Sequence, residues 1–137
     1  MKLLALDIGD VWTGTALSDA MGMLARPYQT IETKTLFSFL QNLFEKETIK
    51  AIIVGYPRTL RGTKSDQTRK TEEFKEALET AFPSKTFILW DERLSSQRAQ
   101  SLKKGQTKED KIKSHSIAAA FILENYLQFS QPLSEGE

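Results

Sequence analysis

The apolar residues near the start of the chain are continuous: Leu3-Leu4-Ala5-Leu6 runs into Asp7-Ile8-Gly9, and the chain returns through Thr13-Gly14-Thr15-Ala16-Leu17-Ser18-Asp19. A run of this kind predicts a strand buried on at least one face, and the Gly and Asp residues between the two segments predict a turn. A third stretch around Met23 to Ile31 completes an expected antiparallel meander. The period then changes. Leu36, Phe37, Leu40, Leu43 and Phe44 recur at helical steps, so an amphipathic helix is expected over 35–46. Ala51-Ile52-Ile53-Val54-Gly55 fits a strand covered on both faces. A helix over 66–81 follows, with Phe74, Ala77, Leu78 and Ala81 expected on its inner side. Thr86 to Trp90 is a strand that ends in Asp91-Glu92-Arg93, and 96–104 is a short helix closed by Gly105. The last helix spans about 110–129, and its apolar segment Ile117 to Leu123 predicts packing on the sheet with cover on its other side.

These elements give an α/β fold: a mixed sheet made of a three-strand antiparallel meander plus parallel strands, with helices on both faces. A chain of 137 residues with 39% hydrophobic content fits one domain, read as 1–129, with a flexible polar tail at 130–137 that contains Pro132 and Gly136. Nineteen Lys and Arg stand against 18 Asp and Glu, so any basic surface has to be local. The absence of cysteine excludes disulfides and thiolate metal sites. No apolar run is long enough for a signal peptide or a bilayer span, so no membrane partner is expected and the chain reads as soluble and cytoplasmic. Monomer and homodimer both remain open.

Two strands end in carboxylates, Asp7 on the first and Asp91-Glu92 on the last. An ionised group at the end of a buried strand needs a cation, a donor or water, and glycine beside Asp7 lets a ligand approach. Acids from separate strands suit Mg²⁺, which takes hard oxygen ligands. Ordinary turn roles remain for both clusters: Asp7 as the start of a hairpin turn, and Asp91-Glu92-Arg93 as a strand end with a local salt bridge. The segment Val54 to Lys64 leaves a strand, precedes a helix and carries Arg58, Arg61 and Lys64, which suits a phosphate backbone. A second basic stretch includes Arg98, Lys103, Lys104, Lys108, Lys111 and Lys113, and a solvated face is its plain reading. His115 is the single histidine. It reads either as a structural residue or as a ligand better suited to Mn²⁺ or Zn²⁺ than to Mg²⁺.

Asp7-Ile8-Gly9 with Gly14 to Asp19, Val54-Gly55-Tyr56-Pro57 with Gly62-Thr63, Asp91 to Ser96, and Ser116-Ile117-Ala118-Ala119 together closely resemble the YqgF family, also called RuvX. The resemblance spans residues 3–127. It implies an RNase H-like fold related to the RuvC resolvases. It also implies a Mg²⁺-dependent endonuclease, with Mn²⁺ as an option, acting on the 5′ end of pre-16S rRNA or on Holliday junctions, hence on pre-rRNA or branched DNA. In this reading Asp7, Glu92 or Asp91, and His115 hold the metal and carry catalysis, and Arg58, Arg61, Lys64, Arg93, Lys103 and Lys104 bind nucleic acid. Two departures stand out. Val11-Trp12 occupies the place of a Lys-Arg pair, and His115 stands where the family has its final acid. A factor that binds nucleic acid or assists ribosome assembly without cleaving is therefore the competing expectation. A nucleotide-binding fragment, suggested by Asp7-Ile8-Gly9 and Thr13-Gly14, is disfavoured because that chemistry needs two such domains.

Overall fold

Strand β1 (Lys2–Ile8) sits at the centre of a five-stranded sheet ordered β3-β2-β1-β4-β5 in the computed structural model, which describes residues 2–56, 66–91 and 108–130. Its antiparallel neighbour β2 (Trp12–Ser18) pairs in turn with β3 (Ala25–Glu32), giving the expected meander. Strand β3 begins two residues later than the apolar pattern suggests. Asp19 Oδ1 accepts hydrogen bonds from the Met23 and Leu24 amides at 2.7 and 3.2 Å, and Gly22 takes a φ of 72°, so residues 19–24 close a turn on the Asp19 carboxylate. Where the β2/β3 ladder shifts register, Thr15 Oγ1 both donates to the Gln29 carbonyl (2.6 Å) and accepts from the Gln29 amide (2.9 Å), replacing the missing backbone pair.

Strand β4 (Ile49–Tyr56) runs parallel to β1 on one side and to β5 (Thr86–Asp91) on the other. Ala51 to Val54 are all buried, as a strand covered on both faces requires. A single 3-10 turn at Thr33–Thr35 leads into α1 (Leu36–Lys46), whose Leu36, Leu40 and Leu43 are buried against one face of the sheet. Helix α2 (Asp66–Ala81) adds Leu78 and Phe74 to that core. Its inner stripe is rotated from the one expected: Ala77 and Ala81 are exposed, and Thr71 is fully buried. The small alanines contribute too little apolar area to decide which way the helix faces, and Leu78 and Phe74 set it instead.

Helix α3 (Lys108–Ser130) covers the opposite face. There the sheet presents Ala5, Ala16 and Ala51, and the helix answers with Ala119, Ala120, Ile122 and Leu123. Short side chains on both surfaces let the backbones come close. Ile117 and Phe121, on the far side of the helix, are only half-buried, so the cover expected over this segment is partial. Helices thus lie on both faces, as the pattern predicts. Ser130, the expected first residue of the tail, still belongs to α3; the short helix over 96–104 and residues 131–137 lie outside the described residues. Among the described residues no helix is long and apolar enough to cross a membrane.

Candidate functional site

Strand alternation puts Asp7 on the α3 side of the sheet, two residues beyond Ala5. The pairing of β1 sets Asp7 opposite Gly14 of β2 and Gly55 of β4; Gly14 in turn faces Thr30 of β3, and Gly55 faces Trp90 of β5. The row across the sheet therefore reads Thr30, Gly14, Asp7, Gly55, Trp90, with the carboxylate flanked on both sides by residues that have no side chain.

The space over Gly14 is taken by α3. A Cβ built on Gly14 would overlap the carbonyl group of His115, with the Ser116 amide nitrogen 2.5 Å away. The helix backbone thus rests directly on the strand, as only glycine permits. That contact brings His115 Nδ1 to 3.4 Å from Asp7 Oδ2, with side-chain exposures of 27% and 15%. Nδ1 is buried and has no hydrogen-bond partner among the described residues. Thr30 Oγ1 and Trp90 Nε1, both on the Asp7 row, are the other buried side-chain polar atoms without a partner among the described residues. Trp90 packs edge-on against Tyr126 of α3, with ring centroids 5.3 Å apart.

The turn that follows Asp7 is fastened from below. Thr33 Oγ1 donates to the Gly9 carbonyl at 2.7 Å and lies 2.9 Å from Thr13 Oγ1, while the Thr33 amide donates to the Val11 carbonyl at 2.8 Å. Across the turn itself, the Gly9 amide donates to the Trp12 carbonyl at 2.9 Å. This threonine clamp was not anticipated from the sequence. Its one local signal is that Thr13 and Thr33 interrupt otherwise apolar or solvent-facing positions. Asp10, by contrast, points away from Asp7: its side chain is 64% exposed and pairs with Lys70 Nζ at 3.2 Å, a surface contact of about 0–1 kcal/mol.

Of the sequence-predicted residues, Asp7 and His115 are therefore brought together. The strands that end in Asp7 and Asp91 are parallel but not direct neighbours, because β4 lies between β1 and β5. Asp91 pairs with Tyr56, one step beyond the level of Asp7. Glu92, Arg93, Arg58, Arg61, Lys64, Lys103 and Lys104 lie outside the described residues. Their flanks are described: 57–65 leaves the carboxyl end of β4, and 92–107 joins the carboxyl end of β5 to α3. Ligands gather at such strand ends in open α/β sheets. A cleft of about 590 Å³ lined by Phe37, Phe44, Phe82 and Lys85 lies near the amino ends of the same strands, away from Asp7.

The donor chemistry at Asp7 fits part of a divalent-cation site. Asp7 offers hard oxygen, and the orphaned His115 Nδ1 offers a nitrogen close enough for both to reach one ion at the usual ligand distances of about 2.0–2.2 Å. Among the described residues no third His, Cys, Asp or Glu completes the set.

Comparison with known proteins places this arrangement in context. The family described as "RuvX: Holliday junction resolvase" matches residues 1–129. A protein of Rubrobacter xylanophilus described as "Putative pre-16S rRNA nuclease" is 37% identical over 128 residues, covering 93% of this chain and 92% of its own. One of Thermoanaerobacter pseudethanolicus with the same description is 37% identical over 134 residues, covering 93% and 96%. Among solved structures, Thermus thermophilus RuvC in complex with a Holliday junction substrate superposes with a TM-score of 0.60 at 12% identity, covering 95% of this chain and 97% of that one. The fowlpox virus resolvase bound to Holliday junction DNA gives 0.52 at 9% identity, covering 96% and 100%. At these identities the likeness is one of fold, the RNase H-like fold of RuvC.

Proposed function

Since this chain belongs to the RuvX family, also called YqgF, and has a RuvC-like fold, we propose that it is a metal-dependent endonuclease that hydrolyses phosphodiester bonds in the precursor of 16S rRNA. The observation that carries the proposal is the Asp7 carboxylate at the carboxyl end of the central strand, with His115 Nδ1 held 3.4 Å away by the helix–glycine contact. The RNA substrate follows the description of relatives that align over nearly the whole chain.

In this reading Asp7 and His115 hold a divalent cation, Mg²⁺ being the expectation from the resemblance, and the acid after β5 supplies the remaining protein ligand. Counting by twos along β5 from Ile88 and Trp90, which share the face of Asp7, reaches Glu92 rather than Asp91. Glu92 is therefore the preferred partner. When bound, such a cation supplies Lewis acidity: it offsets charge developing on the phosphate and makes water a better nucleophile. The protein's own part is positional. The Thr33 clamp and the Gly14 contact fix the carboxylate and the imidazole before substrate arrives, which avoids reorganisation during the reaction. Strands β4 and β5 end on the same side of the sheet as Asp7, and the sequence that follows them carries Arg58, Arg61 and Lys64, and Arg93, Lys103 and Lys104, the cations that in this reading neutralise the phosphate backbone.

The test is cleavage of a 16S rRNA precursor that carries its 5′ leader, run beside four-way junction DNA. Wild type is expected to cut the RNA in the presence of divalent cation. Asp7→Asn is expected to lose at least about 100-fold in rate while keeping its fold, since even groups behind a metal ligand act on that scale. Preferential cutting of the junction would instead favour the resolvase reading, which the family description and the fold of the junction-bound RuvC support. Salt-sensitive RNA binding without cleavage, unchanged in Asp7→Asn, would identify a binding factor; His115 in the place of the family's final acid is the feature that favours it.

A further inference from the structure

Resting on the reading of Asp7 as a cation ligand, we infer that the site is selective for a transition cation that accepts imidazole nitrogen, and takes Mn²⁺ in preference to Mg²⁺. The inference comes from the surroundings of His115. Its Nδ1 is buried, has no hydrogen-bond partner among the described residues and faces a carboxylate oxygen at 3.4 Å. A ring nitrogen and a carboxylate oxygen at this spacing form a mixed nitrogen and oxygen donor pair that one cation can take together. The backbone of His115 is seated on Gly14, which fixes where its ring starts from.

Mg²⁺ requires near-octahedral oxygen coordination, and a nitrogen fixed beside Asp7 takes up one of those directions without serving the ion well. Imidazole suits first-row transition cations; Mn²⁺, the one of them that also takes carboxylate and water oxygen as Mg²⁺ does, accepts this mixed set. The same pocket with a carboxylate at position 115 would present two oxygens and suit Mg²⁺. Residue 115 thus sets which cation is held, and the sheet and glycine contacts that position it are otherwise unaffected.

Because the chain has one histidine, its imidazole gives a single, unambiguous set of ring signals. In the full chain labelled with ¹⁵N, substoichiometric Mn²⁺ is expected to broaden those signals, and a tenfold excess of Mg²⁺ is expected not to protect them. In parallel, the electron paramagnetic signal of free Mn²⁺ measures binding to wild type, His115→Asp, His115→Asn and Asp7→Asn, each with Mg²⁺ as competitor. The Mn²⁺-over-Mg²⁺ preference is expected to fall about tenfold in His115→Asp. It should fall in His115→Asn as well, which provides a second measurement if the aspartate variant does not fold. Ring signals unmoved by Mn²⁺, or a preference identical in wild type and the His115 variants, overturn the inference while leaving Asp7 as a ligand. Equal binding to wild type and Asp7→Asn overturns both the inference and the cation site beneath it.

Discussion

A methyl group on Gly14 would overlap the carbonyl of His115, so the whole relation between Asp7 and the imidazole depends on a residue with no side chain. Gly14→Ala must displace α3 or bend β2, and overpacking of this kind costs about 1–3 kcal/mol. Urea denaturation is expected to show that loss, with cleavage falling further than stability because His115 moves off Asp7; an unchanged midpoint would mean that the helix does not rest on the strand. The sequence made Asp7 and His115 visible as candidates, one by its place at the end of an apolar strand and the other as the single histidine. It did not reveal why Gly14 is needed. Nothing in the local pattern shows that a helix far along the chain crosses this particular strand. The same limit applies to Thr33, whose hydroxyl reaches Gly9 and Thr13 only after β3 has folded back onto β2.

At the scale of elements, the turn between β2 and β3 responds to acid. Two amide hydrogen bonds, from Met23 first and then Leu24, hold the Asp19 carboxyl below the usual carboxylate range. A group depressed in this way contributes stability that is present above its unfolded value, near pH 4, and is lost as pH falls through its folded value. Amide exchange at Met23 and Leu24, taken relative to its intrinsic rate at each pH, is therefore expected to quicken below about pH 4. In Asp19→Ala it should already be fast at neutral pH; protection that persists in that variant would show that Gly22 alone sets the turn. Helix α2 marks the opposite case, in which the pattern misleads. Four apolar residues at helical spacing suggested one inner face, but two of them are alanines, and the larger Phe74 and Leu78 set the rotation. A helix follows its bulkiest apolar side chains.

Across the whole molecule the net charge of +1 masks local runs of basic residues, because the segments after β4 and β5 both leave the edge where Asp7 lies. If Arg58, Arg61 and Lys64 meet phosphates, replacing all three with alanine should weaken RNA binding and flatten its dependence on salt, by about 0.7–0.9 in log–log slope for each phosphate no longer neutralised. Fluorescence anisotropy over a salt series of roughly 50 to 200 mM measures both. Weaker binding with an unchanged slope would assign the three residues to the shape of the loop instead.

The sequence by itself determined the order and type of the elements, the mixed sheet with helices on both faces, and the two residues now found in contact. Those properties follow from local periodicity and from the cost of burying a charge, which are written in consecutive residues. Tertiary structure alone decided that β4 separates Asp7 from Asp91, that glycines flank the carboxylate, and that the backbone of α3 sits on Gly14 so that His115 faces Asp7. These are meetings between residues far apart in the chain, set by strand order and by how closely two backbones can approach, and no local pattern encodes either.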